Sequence, residues 1–323
     1  MLGSTPWPDL ATVRQLIARH LGGQGLEMGP GHQPFPVSST GTQVTYVDRW
    51  FPEENTDLFP ELAGVSFVQP DVIANLDVDR LKAFEDESQD FVIASHVLEH
   101  VVDPIGLLCE MHRVVRPGGS ALILLPDRRR TFDAGRTPTT LRHLVEEYEA
   151  QVTEASEEHL LEFMAHTEGA ESISRYQAMS EIDRDAFLDN LRQRSIHVHV
   201  WTEDEFPEVL VHAIEQLGHE WDFVDGVMCD DEGPGGIEFG YILRRNPCTG
   251  LTAHERSLRF SEAWSAWAAE RREIHALRRS LETTTVRVRA LEAELAAARS
   301  PLALRVSVRQ IGARAKHRLL PRP

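Results

Sequence analysis

The sequence predicts an α/β fold in which helices cover a largely parallel sheet. Three observations predict it: a strand–helix–strand unit in residues 91–127, a glycine-rich turn after an earlier apolar strand, and an acidic residue that ends the strand after this turn. Short continuous apolar runs are typical of strands that are buried on both faces, as the strands of a parallel sheet are.

The strand–helix–strand unit reads FVIASHVLEHVVDPIGLLCEMHRVVRPGGSALILLPD. Residues 91–94 are predicted to be a buried strand, and Pro104 begins a helix at the first helical position, where proline is favoured. Apolar residues at helical spacing follow until the RPGG sequence ends the helix, and residues 121–125 form the next strand. A unit of this kind forms a right-handed crossover between two parallel strands.

The glycine-rich turn reads GLEMGPGHQPF in residues 25–35. Gly29 and Gly31 follow the strand that carries Glu27, at the point where the backbone approaches a ligand closely. The next strand ends at Asp48, about 20 residues after the turn, where a carboxylate can accept both hydroxyls of a ribose. The HQP sequence after the turn lacks a third glycine, which disfavours a dinucleotide because its pyrophosphate needs several free N–H groups.

The second half of the sheet is interrupted by an insertion, residues 128–200. Helices are predicted at residues 141–150, 156–164 and 175–194. Thr202 and Glu205 predict a capping box for a helix that runs to residue 217. Residues 221–227 and 237–243 predict an antiparallel hairpin at the sheet edge, which completes seven strands. Because the insertion follows the fifth strand, we expect it to cap the ligand-binding edge of the sheet.

Composition indicates a soluble protein that does not bind nucleic acid. The 323 residues include 33 Lys and Arg against 51 Asp and Glu. Residues 250–323 hold 15 basic and 7 acidic residues, which leaves 18 basic and 44 acidic residues in the acidic remainder of the chain. Such a negative charge repels DNA and RNA. Three scattered cysteines without a CxxC pair favour a reducing cytoplasm and no zinc site, and no signal or membrane-spanning run is found.

Four motifs together resemble class I S-adenosylmethionine-dependent methyltransferases, in a branch often associated with surface-glycan biosynthesis. They are LEMGPGHQP, ASHVLEH, PDRRRTFD and HVHVWTEDEF, and the resemblance covers roughly residues 20–245. It implies a Rossmann-like seven-stranded methyltransferase sheet with a helical cap insertion at 128–200, in a domain of residues 1–247. It also implies S-adenosyl-L-methionine as cofactor and O-methylation of a sugar or glycan intermediate.

The sequence leaves three other functions open. They are methylation of another small molecule, a nicotinamide-dependent oxidoreductase, and a non-catalytic coiled-coil scaffold with a relic methyltransferase domain. The missing third glycine and the LEH–PGG unit speak against the oxidoreductase.

The resemblance, together with the glycine turn, suggests which residues bind the cofactor. Asn75 takes the place where many relatives have an aspartate for the adenine amino group. His96 either packs on the methionine half of the cofactor or is a partly buried histidine at a helix start. The expected cofactor-binding residues are Glu27, Gly29, Gly31, Asp48, Asn75, Leu76, Ser95 and His96.

Acceptor residues are expected after the fifth strand and at the end of the insertion. A sugar hydroxyl is barely acidic, so a base that removes its proton accelerates the transfer, and histidine is the usual base. We expect His197, His199 and Asp127 to be catalytic and Arg128 and Asp133 to bind the acceptor. We expect no metal, although His197 and His199, two apart on a strand, could share an ion; packing within the cap is the remaining alternative.

The C-terminal part predicts a linker and coiled-coil helix at residues 248–300, followed by a basic amphipathic tail at 301–323. Apolar residues recur every seven positions from Trp267, with a second series at the offset position, which favours a homo-oligomer. A single helix folded back on the catalytic domain is the alternative. The tail alternates arginines with apolar residues, a pattern that suits binding to an anionic membrane surface or to an acidic partner. A disordered tail is the alternative. We expect a cytoplasmic enzyme that is peripheral to the membrane.

Overall fold

The computed structural model describes residues 7–37, 41–167, 169–194, 196–233, 235–247 and 250–299. The described residues divide into two compact units, one within residues 8–271 and the other formed by Trp7 together with residues 272–299. The first unit contains the sheet, and the second contains the end of the long C-terminal helix. The predicted basic tail at residues 301–323 lies outside the described residues.

The first unit is built on one seven-stranded sheet with the order β3-β2-β1-β4-β5-β7-β6. The predicted α/β fold with a seven-stranded Rossmann-like sheet is confirmed. The strands are Gln24–Met28 (β1), Gln43–Asp48 (β2), Val72–Ile73 (β3), Gln89–Ser95 (β4), Val115–Pro126 (β5), Trp221–Val227 (β6) and Glu238–Arg245 (β7).

The strand directions place the carboxyl ends of five strands at one edge. β1 pairs in parallel with β2 and β4, β2 with β3, and β4 with β5. β7 is antiparallel to both β5 and β6, so the predicted hairpin is confirmed. Residues 121–125 of β5 are fully buried, as expected for a strand covered on both faces.

Helices cover the sheet, form the insertion and end the chain. They are Leu10–Ala18 (α1), Pro52–Leu58 (α2), Pro104–Val114 (α3), Leu141–Ala150 (α4), Glu157–Thr167 (α5), Ala170–Ala178 (α6), Glu181–Gln193 (α7), Pro207–Glu215 (α8) and Ala253–Arg299 (α9). Among the described helices, none has both the length and the apolar character needed to cross a membrane.

Two predicted helices were wrong in extent. The stretch 175–194 is two helices, because Ser180 caps α7 by accepting a hydrogen bond from the Asp183 N–H at 3.2 Å. Thr202 does not cap a helix: α8 begins at Pro207, where proline favours the first helical position. Half of the predicted capping box is present, since the Glu205 carboxylate accepts from the Thr202 N–H at 2.8 Å.

The first third of α9 belongs to the core of the first unit. Phe260, Trp264 and Ala268 are buried, and the Trp264 ring lies 4.8 Å from the Tyr241 ring of β7. Trp267, where the heptad series begins, donates its indole N–H to Asp225 at 3.1 Å. The hydrophobic seam available for a partner therefore begins after this residue.

The start of α3 offers a test of how strongly the crossover is held. Asp103 is 3% exposed, and its carboxylate accepts from the Gly106 N–H at 2.7 Å and from Arg80 Nη2 at 2.5 Å. We expect Asp103→Ala to lower the free energy of unfolding by about 2 kcal/mol, because a helix cap and a buried ion pair are lost together. Urea unfolding of the purified protein measures this.

Asp9 is the matched control, since it caps α1 from an exposed position by accepting from the Thr12 N–H at 2.8 Å. Asp9→Ala is expected to lower the free energy of unfolding less than Asp103→Ala does, because only an exposed helix cap is lost. Equal losses in the two variants would show that Asp103 acts as a cap alone.

Candidate active site

The turn after β1 has the geometry that its glycines predicted. Gly29 and Gly31 have φ angles of +58° and +52°, which favour glycine. The Gly29 N–H donates to the Val47 carbonyl at 2.8 Å, and a side chain added at Gly31 would point into open space. The turn thus leaves room for a ligand beside its backbone.

Glu27 lies beneath this turn. Its Oε1 accepts a hydrogen bond from the Phe35 N–H at 2.8 Å, which ties the far end of the loop to β1. Burial raises the pKa of Glu27 to about 7. Oε2 is buried without a hydrogen-bond partner. Its predicted role in cofactor binding remains a prediction.

A cavity of about 380 Å³ opens at the carboxyl ends of β1, β2 and β4. Six of the eight expected cofactor residues line it. They are Gly29, Gly31, Asp48, Asn75, Leu76 and His96. The other two, Glu27 and Ser95, are the neighbouring strand residues and are not part of the lining.

Asp48 ends β2 at the wall of the cavity. Its Oδ1 accepts from the Arg49 N–H at 2.7 Å, and burial raises the pKa of this carboxyl above its usual value. A carboxylate on the cavity wall, next to an open glycine turn, fits the hydroxyls of a ribose. Asn75 is held by a turn, since its Oδ1 accepts from the Asp77 N–H at 3.1 Å.

Sequence reasoning missed much of the cavity wall. The two residues after Asp48, and the two phenylalanines that follow α2, would have been signalled by their position after the ribose acid. Asp77 has a pKa raised to about 6 by burial, and its carboxylate accepts from the Val102 N–H at 2.9 Å. The missed lining residues include Arg49, Trp50, Phe59, Phe67, Asp77 and His100.

His96 is held between two carboxylates. Its φ is +54°, its Nε2 lies 2.9 Å from Glu238 Oε1, and its Nδ1 lies 3.3 Å from Glu99 Oε1. Burial opposes the charged form, but these two carboxylates raise the pKa of His96 to about 10. At neutral pH His96 is therefore an imidazolium on the cavity wall.

The insertion reaches the cavity through the end of α7. Gln193 and Arg194 line it, and the Arg194 guanidinium carbon lies 5.0 Å from the Phe59 ring centroid. Arg194 Nη1 donates to the Leu58 carbonyl at 2.8 Å. Side chains of the insertion thus cover the same cavity that the strand ends form.

Two of the expected acceptor residues form a pair beside this cavity. His197 Nδ1 lies 2.7 Å from Asp133 Oδ2, and the His197 ring is 4.7 Å from the ring of His100, a cavity residue. Arg136 is 3% exposed and donates both to Asp133 Oδ1 at 2.9 Å and to the His197 carbonyl at 2.8 Å. Burial opposes ionisation of Asp133, but the His197 hydrogen bond and the Arg136 charge hold its pKa below the usual value.

His199 is not at this site, so the expected joint action of the two histidines was wrong. The backbone here is not a strand: the N–H groups of Val198 and His199 both donate to the Glu99 carbonyl, at 2.7 and 3.1 Å. The His199 side chain is fully buried, 5.7 Å from the His143 ring. Burial lowers the pKa of His199 well below its usual value.

Asp127 and Arg128 lie away from the cavity lining. Asp127 is fully buried and caps the turn that follows β5, with Arg129 Nη2 at 2.5 Å from its Oδ2. Arg128 Nη1 donates to the Arg136 carbonyl at 2.8 Å. Both side chains hold the loop that carries Asp133, and their predicted direct roles remain predictions.

The comparisons agree with this geometry. Residues 26–123 match a family model described as a methyltransferase domain. The match covers the glycine turn, Asp48 and the β4–α3–β5 crossover, and it stops before the acceptor-side loop. No curated protein matches the chain.

Solved methyltransferase structures are similar to this chain at low sequence identity. CurJ carbon methyltransferase is 12% identical over 73% of this chain and 54% of its own, with a TM-score of 0.37. The 1,6-didemethyltoxoflavin-N1-methyltransferase of Burkholderia thailandensis, solved with 1,6-didemethyltoxoflavin and S-adenosylhomocysteine, is 14% identical over 73% of this chain and 76% of its own, with a TM-score of 0.39. A methyltransferase of Aquifex aeolicus is 12% identical over 73% and 94%, with a TM-score of 0.36.

Likeness at this level says nothing about the acceptor. The family match and the seven-stranded sheet, in contrast, agree on the donor half of the site. The chain therefore contains a methyltransferase domain and is a methyltransferase, with S-adenosylmethionine as its cofactor.

Proposed function

We propose that this enzyme transfers a methyl group to a hydroxyl oxygen of a sugar or glycan intermediate. The observation that carries the proposal is the His197–Asp133 pair, which lies beside the cofactor cavity at a ring distance of 4.7 Å from His100. A histidine oriented by a buried carboxylate is the arrangement that removes a proton from a weakly acidic hydroxyl.

The hydrogen-bond pattern supports Nε2 of His197 as the nitrogen that acts. The ionised Asp133 accepts from Nδ1–H of His197, which leaves Nε2 as the nitrogen that takes up a proton. S-adenosylmethionine, when bound, supplies a methyl group on a sulfonium centre. As the acceptor oxygen forms its bond to this methyl carbon, His197 takes the hydroxyl proton and the carbon–sulfur electron pair stays with sulfur. Holding the two reactants in line contributes roughly 7–11 kcal/mol to such a reaction.

The surroundings of His197 favour a ring-shaped polar acceptor. Phe132 is 59% exposed, and its ring lies 4.8 Å from the His197 ring at an angle of 36°. An exposed aromatic ring beside convergent polar groups is typical of small-molecule sites, and the C–H face of a sugar packs well on such a ring. The excess of acidic residues in residues 1–249 disfavours nucleic acid as the acceptor.

We further propose that residues 272–299 of α9 pair with the same residues of a second copy. Large apolar side chains at heptad spacing are exposed along this segment, and one helix cannot bury such a seam alone. They are Leu277, Leu281, Val288, Leu291 and Leu295, which are 46–63% exposed.

The ribose contact is tested at Asp48. We expect Asp48→Ala to weaken binding of S-adenosylhomocysteine by about 1.5–3 kcal/mol, because charge-assisted hydrogen bonds to the ribose are lost. Titration calorimetry measures this affinity. Asp71→Ala is the control, since the Asp71 carboxylate accepts from the Tyr46 N–H at 2.9 Å away from the cavity lining. Unchanged affinity in Asp48→Ala would remove this residue from the site.

The base is tested at His197. Mass-shift screening of sugars and glycan intermediates first identifies the acceptor, and release of S-adenosylhomocysteine then gives the turnover. We expect His197→Asn to reduce kcat about 10²- to 10⁴-fold, with cofactor affinity nearly unchanged.

His20→Asn is the matched control for His197. His20 Nε2 also pairs with a carboxylate, Asp225 Oδ2 at 3.0 Å. The His20 carbonyl accepts a hydrogen bond from Ser120 Oγ, which places His20 at the amino end of the buried part of β5. The cofactor cavity lies at the opposite, carboxyl ends of the strands. This variant is expected to keep full turnover. Full turnover in His197→Asn would exclude the base, and methylation of other small molecules but no sugar would refute the acceptor class.

The helix pairing is tested by shortening the chain after Arg271, which keeps the buried apolar residues Phe260, Trp264 and Ala268 of α9 and removes the buried His275. We expect the shortened protein to sediment as a monomer and to bind S-adenosylhomocysteine like the full chain. Leu281→Glu should have the same effect on sedimentation, whereas Ile182→Glu, at an 80% exposed residue of α7, should have none. A full-length protein that sediments as a monomer would contradict the proposal.

A further inference from the structure

A second cluster of ligating side chains lies inside the insertion, apart from the cofactor cavity. It consists of His143 and Glu147 on α4, His159 on α5, and His199 on the segment that returns to the sheet. One ligand atom from each of the four lies within 4.8 Å of all the others. None of these residues is part of the cavity lining.

The distances between the ligand atoms match one tetrahedral ion. His143 Nε2 lies 2.9 Å from His159 Nε2 and 3.2 Å from Glu147 Oε2. Glu147 also lies 3.5 Å from His159 Nε2 and 3.3 Å from His199 Nε2. Zinc bonds of about 2.0–2.1 Å in a tetrahedron put neighbouring ligands roughly 3.4 Å apart.

Burial and unmet hydrogen bonds point to a ligand at this place. His199 is fully buried and Glu147 is 8% exposed. Glu147 Oε2 is buried and makes no hydrogen bond of acceptable geometry, although two imidazole nitrogens lie within 3.3 Å of it. A buried carboxylate oxygen in this state is costly, and an ion among the three imidazoles would remove the cost.

The surroundings also have features of a metal site. His143 and Glu147 are one turn apart on α4, so their side chains share a face. His159 Nδ1 lies 3.0 Å from Ser156 Oγ, a contact that orients its ring in the way that outer partners orient metal-bound histidines. His143 is 41% exposed at its side chain, which gives an ion a path of entry.

We propose that His143, Glu147, His159 and His199 bind one divalent transition-metal ion, Zn²⁺ by the chemistry of three imidazoles and one carboxylate. Four protein ligands close the coordination shell, so the ion is structural. It joins α4, α5 and the segment before Trp201 into one unit. Because His197 is two residues from His199, the ion also holds the acceptor side of the insertion in place.

The test uses the full-length enzyme with any affinity-tag histidines removed. After dialysis against a chelator, calorimetric titration with ZnCl₂ is expected to show one equivalent bound per chain, and Zn²⁺ but not Mg²⁺ should raise the melting temperature. Glu147→Gln and His159→Asn should weaken Zn²⁺ binding at least ~10-fold, the loss that even an outer partner causes. Retained binding of S-adenosylhomocysteine verifies that the variants are folded.

Two further variants separate this cluster from other histidines. His166→Asn, on the exposed side of α5 with Nδ1 bonded to the Glu162 carbonyl at 2.9 Å, should leave Zn²⁺ binding unchanged. His197→Asn should also leave it unchanged. Absence of stoichiometric Zn²⁺ binding, parental affinity in Glu147→Gln and His159→Asn, or loss only in His197→Asn would overturn the proposal. If a variant fails to fold, the melting temperature of the parent protein with and without Zn²⁺ decides the proposal. A parent melting temperature that Zn²⁺ does not change would refute the site.

Discussion

The parallel pairing of β1 with both of its neighbours is the constraint on which the rest of the site depends. Met28, the last residue of β1, is in register with Val47 of β2 and Ala94 of β4. The three residues that follow in the chain therefore emerge side by side. This brings the glycine turn, Asp48 and the β4 end together, and hydrophobic burial of the strands holds the register.

The acceptor side is held by a different kind of interaction. The insertion is anchored by buried polar side chains, with Arg136 joined to Asp133, to the His197 carbonyl and to Glu162 of α5 at 2.8–2.9 Å. Such a network is specific in geometry but costly when incomplete. The histidine cluster on α4 and α5 contains a buried carboxylate oxygen, Glu147 Oε2, without a hydrogen bond of acceptable geometry, and a bound ion would satisfy it. The donor site thus depends on the sheet, and the acceptor site on polar contacts within the insertion.

Much of the sheet could be predicted from the sequence, because apolar runs and turn residues are local signals. The crossover between β4 and β5 and the antiparallel hairpin were predicted from such signals, and six of the cavity residues from these signals together with the family resemblance. Helix limits at Ser180 and Pro207 could not be fixed, since a cap and a proline compete with longer helical patterns. Trp264 and Phe260 read as part of a coiled-coil helix, but their burial against β7 is a tertiary contact that heptad spacing cannot reveal.

The positions of His197 and His199 show what spacing in the sequence cannot predict. Because His197 and His199 are two residues apart, the sequence predicted that they share one site. This prediction assumed that the segment is a strand. The Glu99 carbonyl accepts from two successive N–H groups and turns the backbone instead, so each ring meets different partners. The partners of His199 come from α4 and α5, up to 56 positions earlier in the chain, and no short motif joins them.

The proposed role of His197 as a base depends most on where the cofactor lies relative to this residue. A crystal structure of the enzyme with S-adenosylhomocysteine tests this most directly. The proposed mechanism predicts that the ribose hydroxyls donate hydrogen bonds to Asp48 and that the adenine packs against Trp50, Phe59 and Phe67. It also predicts that the sulfur faces the side of the cavity where the rings of His100 and His197 meet. A sulfur that faces away from these histidines, or a cofactor bound outside this cavity, would contradict it.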